Sequence, residues 1–151
     1  MKTIQPHINI KIASSEEFYE VKHFLKKNQT YSASRGDIIY TVRVDKKLIG
    51  IARLLKIEDD LNSLWLRGLF IEDSWRNQGI ASQLLLAIYQ SQKNTEKIKQ
   101  IFAFAEFHLD DFYKKNTYKL LEPTQLPISL QTRFFNAKEQ RKKWLCLVKR
   151  V

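Results

Sequence analysis

The stretch Leu64 to Leu86, LWLRGLFIEDSWRNQGIASQLLL, constrains this chain more than any other part of it. An apolar, strand-like run ends at Ile71, and the polar turn Glu72-Asp73-Ser74-Trp75 follows. Arg76-Asn77-Gln78-Gly79-Ile80-Ala81 then opens an amphipathic helix, with Ala81, Leu84, Leu85, Ile88 and Tyr89 on one stripe. A strand that passes through a glycine-containing turn into a helix makes an anion site. The first N–H groups of the helix lack internal partners, and the helix dipole favours negative charge there. The question for function is which phosphate ligand such a nest holds.

The rest of the chain supplies a frame for that unit. Ile8, Ile10 and Ile12 alternate with polar residues and predict a first strand. Ser14 with Glu17 is a capping-box pattern, and Phe18, Val21 and Leu25 put a helix to about Lys27. Asn28 to Asp37 reads as a loop. Ile38 to Val44 and Leu48 to Ile57 read as a hairpin closed at Asp45-Lys46-Lys47. Leu64 to Ile71 is the fourth strand and Ile98 to Ala105 the fifth. Leu109 to about Tyr118 is a short helix, with Asp110 and Asp111 near its positive end. Leu126, Leu130 and Phe134 recur every four residues after the break at Pro123 and Pro127, which hints at another helix; Trp144 to Val148 is a final buried strand. The order β-α-β-β-β-α-β-α-(α)-β is an α/β mixture of α+β type, with a mixed, mostly antiparallel central sheet flanked by helices. A doubly wound dinucleotide fold alternates strand and helix strictly. Arg-x-x-Gly-x-Ala is neither Gly-x-Gly-x-x-Gly nor a P-loop, so both common nucleotide folds are set aside.

Composition narrows the function classes. A length of 151 residues fits one domain, 1–151, with a real core. Every apolar run is interrupted by charge before about 18 residues, so no membrane span is expected. The N-terminus lacks the long apolar core of a secretory signal. Cys146 is the only cysteine, which suits a reducing, cytoplasmic setting, and a buried inert thiol is the favoured reading of it. Cys146, His7, His23 and His108 stand at unrelated spacings, so no metal site is expected. The net charge of +10 points to anionic ligands or to solubility. Its basic residues are scattered, with a mild concentration at Lys138 to Lys143 and at Lys149-Arg150, and nucleic-acid binding is disfavoured.

The element order, with Arg76 to Ala81 between the fourth strand and the next helix, resembles the GNAT superfamily of acetyl-CoA-dependent N-acetyltransferases. The family signature is Arg/Gln-x-x-Gly-x-Gly/Ala. Asp45-Lys46-Lys47-Leu48-Ile49-Gly50 is similar to the family's hairpin between strands two and three. Ile71 to Arg76 is similar to its strand-four exit. His108-Leu109-Asp110-Asp111-Phe112-Tyr113 with Tyr118 is similar to its His-x-x-x-Phe-Tyr-x-x-x-Gly-Phe helix. Thr117 stands where that motif has glycine, so the helix is expected to end at Asn116, which tolerates a left-handed conformation. The middle of strand four, Leu66-Arg67-Gly68, lacks the carboxylate base that some members place there.

The resemblance implies an enzyme that moves an acetyl group from acetyl-CoA, its co-substrate, to a primary amine of a small molecule, peptide or protein. The transfer is by direct attack in a ternary complex. Backbone N–H groups from Gln78 to Ser82, through Gly79, Ile80 and Ala81, would point at the coenzyme's pyrophosphate, with Arg76 beside them and Asn77 in the turn. Leu69, Phe70 and Ile71 would pair with the pantetheine arm through their backbone, and the same strand would polarise the thioester carbonyl. Tyr113 would protonate the leaving thiolate. Glu72, Glu106 and His108 lie near the relevant strand ends, and none is assigned as base. Acceptor choice falls to the Asn28–Asp37 loop, the hairpin faces and the segment after Pro123. Tyr31, Arg35, Tyr40, Arg43, Arg53 and Arg67 are the notable side chains there. Those arginines either face a cleft, favouring an acceptor with a carboxylate or phosphate, or pair with Asp and Glu on the sheet face. Two other readings stay open: a coenzyme A-binding sensor or structural subunit without turnover, and a basic module for RNA or an acidic protein. Pairing of two copies through the C-terminal strand is a further implication of the family.

Overall fold

The computed structural model describes residues 7–30 and 32–151, so Tyr31 lies outside the described residues. Its strands are β1 (Ile8–Ile12), β2 (Ile38–Val44), β3 (Lys47–Lys56), β4 (Ser63–Ile71), β5 (Gln100–Glu106), β6 (Lys119–Leu120) and β7 (Trp144–Arg150). Its helices are α1 (Phe18–Lys27), α2 (Ile80–Thr95), α3 (Asp110–Lys115) and α4 (Ile128–Glu139). The strands form one mixed, mostly antiparallel sheet in the order β1-β2-β3-β4-β5-β7-β6. This is the expected fold class. The chain divides into two compact units, each described by itself below.

The first unit holds residues up to Arg53 together with Gly68–Ile88. β1 pairs antiparallel with β2, from Ile8↔Val44 to Ile12↔Tyr40. The Glu17 carboxylate accepts the Ser14 N–H at 3.0 Å, which starts the chain into α1 as the capping pattern predicts. Phe18, Val21, Phe24 and Leu25 of α1 pack with Ala33, Ile39, Leu48 and Ile51, and Phe70 joins that cluster. The hairpin turns on Asp45 and Lys46, both left-handed at φ 48° and 73°. Two such residues match the right-handed twist of the flanking strands.

The second unit holds Leu54–Arg67 and Tyr89–Val151. β4 runs parallel to β5 from Ser63↔Gln100 to Leu66↔Ala103. β7 lies antiparallel to β5 along its whole length, Gln100↔Arg150 to Glu106↔Trp144. Ile57, Trp65, Phe102, Leu126, Leu130, Phe134, Cys146 and Val148 form its core. Cys146 is buried, and burial pushes its thiol up to about 12.

One element is added and two local expectations are corrected. The segment after Tyr118 holds the two-residue strand β6, paired to β7 at Lys119↔Val148 and Leu120↔Leu147. Two residues are too few to carry an alternation signal. α4 begins only at Ile128, so Leu126 is a core residue ahead of the helix, held beyond it by Pro127. The left-handed residue after α3 is Thr117 (φ 67°), not Asn116, whose φ is −92°. The Tyr118 N–H reaches the Tyr113 carbonyl at 3.0 Å and the Thr117 N–H reaches Lys114 O at 2.9 Å. These are the two bonds of a Schellman cap. They hold a β-branched residue where glycine is the natural occupant.

Candidate functional site

In the first unit the strand-to-helix junction has the geometry that the sequence predicts. β4 ends at Ile71, a 3-10 turn spans Asp73–Trp75, and α2 starts at Ile80. Asn77 and Gly79 are both left-handed, at φ 62° and 77°, on either side of Gln78. No neighbouring atom comes within 4 Å of where a Gly79 side chain would begin. Glycine is therefore required here by backbone conformation, and the open space leaves the turn accessible. Gln83 is the residue whose N–H bonds back to Gly79 O, at 3.1 Å. The N–H groups of Ile80 and Ala81 precede it and have no carbonyl in the helix to reach. Successive N–H groups at left-handed residues and at a helix start make a concave anion cradle.

Arg76 braces this turn from inside. Its Nε donates to Ile71 O at 2.7 Å, its Nη1 meets Asp73 Oδ1 at 2.6 Å, and its guanidinium lies 5.2 Å from the centre of the Phe70 ring. Phe70 in turn packs edge-on against Phe24 of α1. Ile71 is buried, and Leu69 and Phe70 are half-buried. The side chains of Phe70 and Ile71 thus serve packing.

The arginines of the first unit mostly have partners. Arg43 is clamped by Glu17 and Glu20 at 2.9 and 2.6 Å. The Ser14 backbone bond holds Glu17 below the usual carboxylate range, and the Arg43 hydrogen bond does the same for Glu20. Arg35 lies over Phe18 and Tyr19. Arg53, 4% exposed, pairs with Asp37 at 3.1 Å, while its Nε has no partner among the described residues. Gly68 is left-handed at φ 64°, and a side chain there would begin 3.0 Å from that Nε. The alternatives left open by sequence thus resolve into pairing for Arg43 and Arg53. Tyr40 is buried in the sheet.

The second unit carries Tyr113. It is 5% exposed and sits on α3 between Phe112 and Tyr118, at ring-centre distances of 5.1 and 5.3 Å. Burial pushes its phenol up to about 12, so it is neutral and a donor at pH 7. Glu106 and His108 are exposed and face one another at 3.4 Å, while Glu72, in the first unit, lies 3.7 Å from Lys47. Lys149 stands out in the sequence only for its charge beside Arg150. Its ammonium donates to Asn116 O at 3.1 Å and lies 4.4 Å from the Tyr89 ring centre, backing the end of α3. Trp65 and Arg133 were missed, because a contact between strand β4 and helix α4 leaves no spacing to read.

Among the described residues no group of three His, Cys, Asp or Glu is placed to hold a metal ion, and no helix is long and apolar enough to cross a membrane.

Residues 35–120 match the family model of the Acetyltransferase (GNAT) domain. That is more than half of the chain, and the protein belongs to the GNAT acetyltransferase family. Comparison with curated protein sequences gives no match. Among solved structures, N-acetylglutamate synthase from Neisseria gonorrhoeae, complexed with coenzyme A and N-acetyl-glutamate, is 15% identical at a TM-score of 0.72. That match covers 97% of this chain but only 36% of the synthase chain. A GNAT-family acetyltransferase from Streptococcus pneumoniae is 12% identical at 0.72, covering 96% of this chain and 99% of that one. A GNAT-family acetyltransferase from Elizabethkingia anophelis with acetyl-CoA bound is 14% identical at 0.68, covering 95% and 98%. At these identities the likeness establishes a shared fold.

Proposed function

We propose that this protein transfers an acetyl group from acetyl-CoA to a primary amine, by direct attack of the amine on the thioester. The observation that carries the reading is the pair of left-handed residues, Asn77 and Gly79, at the open start of α2. Family membership supplies the ligand class, and the acetyl-CoA bound to the Elizabethkingia anophelis protein supports it. In this reading the N–H groups from Gln78 to Ser82 take the diphosphate. Leu69, Phe70 and Ile71 offer backbone groups to the pantetheine arm. Arg76 and Asn77 fix the turn.

The chemistry follows from charge. An amine nitrogen bonds to the thioester carbon, negative charge gathers on the carbonyl oxygen, and the carbon–sulfur bond then breaks. A strand N–H stabilises that oxygen. Tyr113 gives its phenolic proton to the departing sulfur, and its raised pKa keeps that proton in place until then. The ammonium form first loses a proton to solvent; after attack the nitrogen loses a second, and a proton returns through solvent to the Tyr113 phenolate. For a lysine-like amine that first deprotonation costs about 4.6 kcal/mol at pH 7.

Two measurements test the reading. Excess acetyl-CoA should raise the melting temperature, since ligand at about 100 times its Kd adds about 2.7 kcal/mol. Thiol release from acetyl-CoA should then appear with at least one member of a panel of primary amines. No thermal shift would remove the coenzyme reading. A shift without thiol release from any amine would leave a coenzyme-binding protein in place of an enzyme.

A further inference from the structure

In the second unit, β4 and β5 stop pairing with each other after Leu66↔Ala103, although β5 runs on to Glu106. Arg67 is the next residue on β4 and Phe104 the next on β5. Two guanidiniums gather at this point. The Arg67 guanidinium carbon lies over the Trp65 ring, 4.3 Å from its centre, and that of Arg133, from α4, lies 5.4 Å from the same ring. Phe104 packs on Trp65 at 5.3 Å and reaches Trp144 at 6.2 Å, where Lys142 stands 4.9 Å from the ring. Three cations thus line one run of aromatic rings.

Charge balance is missing on the α4 side. Neither Arg133 nor Lys142 meets a carboxylate within 4 Å among the described residues. The indole N–H of Trp65 is a second, independent sign. Trp65 is 5% exposed, and its Nε1 has no hydrogen-bond partner among the described residues. A buried donor without an acceptor is costly to keep. The Arg133 guanidinium is held by the ring's quadrupole and keeps its in-plane N–H groups for an oxyanion.

We infer that the Trp65 indole N–H and the Arg133 guanidinium, beside Arg67 on the same ring, form an oxyanion-binding subsite that selects amine acceptors carrying a carboxylate or a phosphate. The inference rests on the acetyltransferase reading and names its acceptor class. The same cations and rings could suit single-stranded RNA. Base stacking, however, needs an open ring face, and Trp65 is buried with guanidiniums already over it. A small oxyanion needs only the N–H edges.

Matched acceptors test the subsite: α-amino and ω-amino carboxylates, each against its own carboxamide, with aminoalkyl phosphonates as a third arm. The carboxylate or the phosphonate should exceed the carboxamide in kcat/KM by about tenfold or more in at least one set. Which of the two leads identifies the oxyanion. Arg133→Ala, on an exposed helical position, should bring that ratio to within about threefold. Trp65→Phe, which keeps a ring and removes the N–H, should lower the ratio as well. Binding of the same amines, read by NMR line broadening of the small molecule, needs no turnover. Selective oxyanion binding without thiol release would support the subsite and remove the transferase reading. Turnover without oxyanion preference would keep the transferase and overturn the subsite. Tight binding of a single-stranded ribo-oligonucleotide, with no amine preference, would overturn it in favour of nucleic acid.

Discussion

Tyr118 donates its backbone N–H to the carbonyl of Tyr113 at 3.0 Å, closing the end of α3 around Thr117. A branched side chain at φ 67° is strained, and the cap, with a bond from the Thr117 hydroxyl to Asn116 O at 2.6 Å, keeps it there. Thr117→Gly should therefore stabilise the protein by about 1 kcal/mol, raising Tm by about 2–4 °C. A lower Tm in the glycine variant would mean that Thr117 is held by something other than the cap.

Arg53 and Asp37 form the buried ion pair of the first unit, and Asp37 also accepts the Ser34 N–H at 2.9 Å. Breaking one side leaves a buried charge. Arg53→Met should cost about 3–5 kcal/mol in urea unfolding, and adding Asp37→Leu should recover part of that loss. A double-mutant cycle with no coupling would show that the pair acts through packing alone.

In the proposed reading, Gly79 bears on coenzyme binding through conformation and charge. Gly79→Ala has space but not the right φ, and the strain should cost about 1–2 kcal/mol. Gly79→Glu adds repulsion of the diphosphate. Calorimetry should find acetyl-CoA binding weakened by about tenfold or more, with partial recovery at high salt. Equal affinity for wild type and Gly79→Glu would contradict the cradle.

Tyr113→Phe keeps the ring between Phe112 and Tyr118 and removes the proton. We expect kcat to fall by about 100-fold, with KM for acetyl-CoA within about twofold of wild type. Steady-state kinetics decide this, and an unchanged kcat would take the acid role away from Tyr113.

Alkaline pH should loosen the fold. Burial pushes Tyr113 and Cys146 up to about 12 and raises Tyr118 as well. In the unfolded chain these groups ionise near pH 8.5 to 10. Below that range both states keep their protons and the stability is fully present. As pH rises toward 12 the unfolded chain releases protons that the native state retains, so unfolding gains. Melting curves should show Tm falling steadily above about pH 9. A flat Tm up to about pH 11 would argue against protonated burial.

Most of the frame was legible because its signals are local. The capping pattern at Ser14 and Glu17, the alternation in β1 and β2, and the stripe on α2 each lie within a few residues. The turn around Gly79 was legible for the same reason: a glycine just before a helix points to its own backbone. Thr117 was misjudged because residue preference favours asparagine, whereas the cap bonds of the helix decide which position turns left-handed. β6 is two residues long and exists only by pairing with β7. The Arg53–Asp37 pair and the arrival of Arg133 from α4 on Trp65 depend on contacts between segments far apart in the chain. Periodicity carries no record of such meetings.

Arg76 ties Ile71 and Asp73 together across the junction before α2. These two contacts brace the socket from within the turn itself. In the proposed transferase, capture would then lose little disorder in the loop, and departure would call for no unravelling, as suits a site that must empty after every cycle.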